Sequence, residues 1–161
     1  MTRETIVAYD PGLITGVAEG VFSDTEPLHV LGGAALTYEE VLAGFPDITS
    51  VPFDYVVSEQ FIARTDNNFV PDLTPVRVEG ILDLAYNQQV VWRPRTKKSQ
   101  VPDSVLREHG IWVTGKDVDW TDGRDVNDAI IHMLGFVAFD LRHTPTLREY
   151  FQPSYGEVQT R

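Results

Sequence analysis

Apolar and polar positions divide the chain into short elements. Thr5-Ile6-Val7-Ala8-Tyr9 is a β-branched and aromatic run that stops at Asp10-Pro11-Gly12, which predicts a buried strand ended by a turn. Apolar stretches over 13–22 and 28–36, separated by Ser23-Asp24-Thr25-Glu26-Pro27, predict two further strands that continue the first in antiparallel fashion. Thr37 followed three residues later by Glu40 has the capping-box pattern, so a short helix is expected from there to about Gly44. Residues 53–59 read as a fourth strand with an acid at its end, and 89–92 as a fifth. Between them, Val78, Ile81, Leu82 and Ala85 have helical spacing. A short helix is expected over 102–109 with Gly110 ending it, and the longest helix over 125–141, apolar at Ala129, Ile130, Met133, Leu134 and Val137. The order of three strands, helix, strand, helix, strand, helices predicts an α/β fold with a five-stranded mixed sheet and helices on both faces.

At 161 residues the chain fits one domain, expected over 1–142, with 143–161 as a polar tail loosely held around Pro145 and Pro153. The absence of cysteine excludes a disulfide scaffold, thiolate zinc sites and a cysteine nucleophile. No apolar run approaches the roughly 20 residues of a membrane span, so no membrane partner is expected. Residues 1–5 lack the pattern of a secretory signal, which places the expected location in the cytoplasm, that of a host cell if the chain is phage-encoded.

Net charge alters the picture. Thirteen Lys+Arg stand against 24 Asp+Glu, a sum of −11 that by itself argues against nucleic acid. The imbalance is uneven. Residues 1–60 hold one basic residue and ten acids, whereas 90–116 hold six basic residues (Arg93, Arg95, Lys97, Lys98, Arg107, Lys116) and two acids. One basic stretch is embedded in an acidic chain, and a whole-chain sum does not say where a field points.

The acids at element ends carry the candidate chemistry. Ligands of open α/β sheets sit beyond the carboxyl ends of strands. Asp10 ends the first predicted strand and Glu59 the fourth; if these are adjacent and parallel, both carboxylates project from one edge. Asp125 and Asp128 are three apart at a predicted helix start and share a face. Each has an ordinary reading as well. Asp10 is good turn chemistry before Pro-Gly, and Asp125 a plausible N-cap. Asp119 and Asp122 continue the same spacing, which leaves Asp122 as an alternative to Asp125. Together, converging carboxylates would repel one another unless a hard divalent cation held them. Two such ions ~4 Å apart clamp a phosphodiester.

Asp10-Pro11-Gly12, Glu59-Gln60-Phe61 and Asp125-x-x-Asp128-Ala129, in this order, resemble the RuvC-type Holliday-junction resolvases of the ribonuclease H-like superfamily. The Leu106-x-x-His109-Gly110-Ile111-Trp112 and Arg124-Asp125-x-x-Asp128-Ala129 stretches look closest to short resolvase-like proteins of actinobacteriophages. The resemblance spans about residues 5–141. It implies a homodimer that binds branched DNA, a four-way junction above all, and nicks it in symmetric pairs with two Mg2+ or Mn2+ ions. Asp10, Glu59, Asp125 and Asp128 would then be the metal ligands and catalytic residues. Phe61, or else Phe69, would stack on bases near the crossover. Arg93, Arg95, Lys97 and Lys98 would face DNA, and His132, one turn beyond Asp128, would assist the site. A fork, flap or RNA–DNA hybrid remains open as the substrate. The alternative is a non-catalytic ribonuclease H-like DNA-binding or scaffold domain.

Overall fold

At the centre of the molecule lies β1 (Arg3–Asp10), flanked by β2 (Ile14–Ser23) and β4 (Tyr55–Gln60), with β3 (His29–Thr37) and β5 (Val90–Pro94) at the edges in the order β3-β2-β1-β4-β5. The computed structural model describes residues 2–44, 52–62, 72–115 and 123–152. β1, β2 and β3 run antiparallel as consecutive hairpins, while β1, β4 and β5 are parallel. The parallel strands end at one edge, where Asp10 and Glu59 lie.

Side chains alternate across a strand, so one strand serves two cores. Ile6, Ala8 and Val57 pack with Val105 and Leu106 of α3 (Asp103–Glu108) and with Val126, Ala129, Ile130 and Met133 of α4 (Arg124–Gly135). On the opposite face Val7, Tyr9 and Val56 pack with Val41 of α1 (Tyr38–Ala43) and with Val78 and Leu82 of α2 (Thr74–Ala85). Helices therefore cover both faces, as the element order predicts. α1 begins with the expected capping box: Thr37 Oγ1 accepts the Glu40 N–H at 3.2 Å and Glu40 Oε2 accepts the Thr37 N–H at 2.7 Å.

Three features differ from the expectations, and a fourth falls where none was made. The helix predicted over 125–141 starts at Arg124, with Gly123 before it at φ 74°, so Asp125 stands in the first turn instead of capping it. That helix ends at Gly135 and continues as a wider π-type turn, Phe136–Asp140. The basic run after β5 is a 3₁₀ helix, Arg95–Gln100. The C-terminal segment expected to be loose is, over Thr144–Phe151, a docked helix, α5. Thr146 Oγ1 accepts the Leu28 N–H at 2.9 Å, and the Tyr150 hydroxyl donates to the Leu28 carbonyl at 2.8 Å. Tyr150 and Phe151 also pack against the core, but they stand together at the end of the helix behind polar residues, so no helical period of apolar positions revealed it. Residues 153–161 lie outside the described residues.

Candidate active site

The register of the parallel strands builds the site. Tyr9 of β1 pairs with Ser58 of β4, so Asp10 and Glu59 follow side by side at the strand ends. Glu59 in turn pairs with Arg93 of β5. By alternation Asp10 shares a face with Ile6 and Ala8, and Glu59 with Val57; this is the face covered by α4. The first turn of α4 approaches β2 so closely that a Cβ on Gly16 would lie 1.8 Å from the Asp125 carbonyl oxygen. Only glycine leaves room for the helix there, and the helix brings Asp128 and His132 over the sheet edge.

Three carboxylates converge on one ammonium. Lys98 Nζ lies 3.1 Å from Asp10 Oδ1, 2.6 Å from Glu59 Oε2 and 2.9 Å from Asp128 Oδ2. Burial would lower the Lys98 pKa, but the surrounding acids outweigh it and hold the ammonium protonated above its usual range. Asp10 is buried, and desolvation pushes its carboxyl well above the normal value against the pull of Lys98. Glu59 moves the other way. Burial raises it, but the hydrogen bond from His132 and the Lys98 ammonium bring it to about 2. Adjacent acids thus acquire opposite shifts, a pattern typical of functional sites.

A second layer fixes Glu59. His132 is fully buried, and its Nε2 lies 2.8 Å from Glu59 Oε2. A carboxylate only accepts, so Nε2 carries the proton and Nδ1 is left to accept, with Arg93 3.5 Å away. Burial keeps the imidazole pKa low, with Glu59 partly opposing it. Arg93, 1% exposed, donates to Asp140 Oδ2 at 2.9 Å, to the His132 carbonyl at 2.9 Å and to Gln100 Oε1 at 3.0 Å. Its guanidinium crosses Gly135, where a Cβ would come within 2.8 Å of it. The chain Asp140–Arg93–His132–Glu59 ties the carboxylate-bearing edge to the π-type turn after α4.

Three of the side chains expected to face DNA are therefore engaged elsewhere. Arg93 is in the interior, where each donor group has an internal acceptor. Lys98 sits among the carboxylates. Lys97 is paired with Asp140 at 2.8 Å. Arg95 is exposed, beside a cleft of about 310 Å³ that Phe61 lines together with Glu59, Ile62 and Pro94. The Phe61 N–H donates to Glu79 Oε1 of α2 at 2.6 Å, which anchors the end of β4. Asp125 is half-buried one turn ahead of Asp128. Phe69 and Asp122 lie outside the described residues.

The donor set suits a hard cation. Lys98 already marks a point where one positive charge meets three carboxylate oxygens, and carboxylate oxygens are what Mg2+ and Mn2+ prefer. Ligand atoms of Asp10, Glu59 and His132 also lie within 4.8 Å of one another.

No sequence-family profile and no curated protein matches the chain. Solved structures do. Thermus thermophilus RuvC in complex with a Holliday junction substrate superposes with a TM-score of 0.63 over 88% of this chain and 97% of that one, at 14% identity. The chain has the ribonuclease H-like fold of this RuvC structure. The Fowlpox virus resolvase, solved with its substrate Holliday junction DNA, superposes with a TM-score of 0.53 over 81% of this chain and 97% of that one, at 15% identity. In this chain the ends of β1 and β4 and the start of α4 bring Asp10, Glu59 and Asp128 to one point. Among the described residues no helix is long and apolar enough to cross a membrane.

Proposed function

We propose that this protein is a metal-dependent, structure-selective DNA endonuclease that resolves four-way junctions by paired symmetric nicks. The convergence of Asp10, Glu59 and Asp128 on one cation position carries the reading. Support comes from structural neighbours that are junction resolvases. Asp10, Glu59, Asp125 and Asp128 would hold two Mg2+ or Mn2+ ions. When bound, these ions supply the Lewis acidity that activates water and stabilises the leaving oxygen. The chain's own part is placement. Asp10 and Glu59 are fixed by strand register, Asp128 by α4, and Glu59 is oriented by the Nε2–H of His132, as outer partners commonly orient ligating carboxylates. Arg95 and Phe61, at the neighbouring cleft, are offered to the DNA. A homodimer is part of the proposal. Leu73, Val76 and Leu84 are exposed on one side of α2, where Gly80 leaves the surface open, and a second copy would cover this stripe.

The test is cleavage of labelled junction, fork, flap and RNA–DNA hybrid substrates with Mg2+ or Mn2+. The expected result is symmetric nicking of the junction, leaving 5′-phosphate and 3′-hydroxyl ends, abolished by chelator. An intact junction with both metals would sink the reading.

One observation favours the second reading, a non-catalytic ribonuclease H-like DNA-binding or scaffold domain: Lys98 already brings a cation into contact with all three carboxylates. Lys98→Met separates the two. Removing a mostly buried partner should destabilise the metal-free protein by about 3 kcal/mol, or roughly 6–12 °C in Tm. Under the nuclease reading Mn2+ restores much of that loss, because a ligand that binds only the folded state stabilises it. Under the scaffold reading Mn2+ moves neither wild type nor variant in a thermal-shift measurement.

A further inference from the structure

A second cleft, of about 550 Å³, borders the carboxylate cluster at Asp128 and is lined by Asp103, Arg107, Trp112, Arg124, Asn127 and Asp128. Asp128 belongs to both the cleft and the cluster. Arg107, exposed on α3, lies over the Trp112 indole with its guanidinium carbon 3.7 Å from the ring centroid. The Trp112 segment is not free to drift. Asn127, buried in α4, accepts the Val113 N–H at 2.9 Å and donates to the Val113 carbonyl at 2.8 Å. A side chain one residue ahead of Asp128 therefore holds in place the backbone that carries the aromatic.

We propose that this cleft is a nucleotide subsite: the Arg107–Trp112 stack receives an unpaired base next to the scissile phosphate, and Arg124 receives that nucleotide's own phosphate. The inference rests on the nuclease reading and deepens it by naming the part of the branched DNA, an unpaired nucleotide, that this cleft takes. Planar cation and aromatic surfaces are the usual platforms for bases that have left a duplex, since every base has a π-face. Within a duplex those faces are covered, so the platform selects DNA that is already splayed, as at a branch point. The charges agree. Asp103 and Asp128 disfavour a bare phosphate across most of the cleft, whereas a neutral base with one flanking phosphate beside Arg124 is compatible with both signs. The Phe61 cleft meets the cluster through Glu59 and this one through Asp128, and here the Trp112 ring packs against the core and offers its Arg107-covered face.

The test uses the full chain in chelator, where cleavage is silent, with a four-way junction carrying 2-aminopurine at the crossover and a plain duplex as control. Wild type is expected to quench the probe. Arg107→Gln and Trp112→Ala are expected to weaken junction binding about tenfold or more and to lose the quench, Trp112→Phe to retain it, and duplex binding to be unaffected. If Trp112→Ala fails to fold, Arg107→Gln decides, because Arg107 is exposed. Arg107→Gln binding the junction within about twofold of wild type, with the quench intact, overturns the subsite. In that event wild-type cleavage of the same junction in Mn2+ leaves the nuclease reading standing. A wild type that neither binds nor cleaves the junction overturns both.

Discussion

Asp10→Asn is expected to reduce junction cleavage by at least about a hundredfold while leaving the metal-free protein as stable as wild type or more so. Under the proposed reading the loss follows from weakening the hold on the metal ions that would offset the developing phosphate charge, where a single electrostatic group is commonly worth 10²–10³ in rate. The stability result follows from burial. The Asp10 carboxyl is desolvated at the sheet edge and its pKa is raised. A raised folded pKa means that the native state holds the proton more tightly than the unfolded chain. Ionising Asp10 therefore removes stability as pH climbs from the ordinary carboxylate range through the raised value. Asparagine carries no charge to ionise and keeps an oxygen for Lys98. The Tm advantage of Asp10→Asn over wild type should grow across that pH window in chelator, and the Mn2+-induced Tm shift should shrink. A variant that cleaves as fast as wild type would remove Asp10 from the mechanism. One that loses both activity and stability would make it a structural acid.

Arg93→Met is expected to destabilise the protein by about 3–5 kcal/mol, roughly 6–20 °C in Tm, the usual consequence of removing one partner from a buried charged network. Arg93 is 1% exposed, and its loss strands the His132 carbonyl, Gln100 Oε1 and part of the Asp140 carboxylate. Methionine fills some of the volume but offers no donor. Below its Tm the variant should bind junction DNA with the same salt dependence as wild type, because no phosphate contact is lost. A shallower salt slope at unchanged Tm would instead place Arg93 on the DNA surface. Glu59 should feel the change through His132, so metal affinity, read by Mn2+ titration, is expected to fall by about tenfold or more, as for other outer-layer partners.

The placing of acids at element ends was legible because turn chemistry, strand patterning and helix starts are local. The Asp10 turn, the acid at the end of β4 and the apolar face following Asp128 can all be read within a few residues of each site. The role of the basic stretch could not be read that way. Arg93, Lys97 and Lys98 look alike in the sequence, yet one is buried under α4, one is paired with Asp140 and one occupies the centre of the carboxylates. What separates them is the 3₁₀ helix after β5 and the fold of α4 and its π-type turn across it. Arg107 and Trp112 sit in a stretch singled out only for resemblance, and their pairing depends on Asn127, far along the chain.

The sequence alone determined the element order, the mixed sheet with helices on both faces and the edge at which the acids gather. These follow from hydrophobic period and turn residues, which act over a handful of positions. Tertiary structure decided which cation meets those acids, that the C-terminal helix docks, and that His132 and Arg93 brace Glu59 from the interior. Those outcomes depend on burial, and burial depends on residues brought together from distant parts of the chain: Arg93 with Asp140, Lys98 with Asp10, His132 with Glu59.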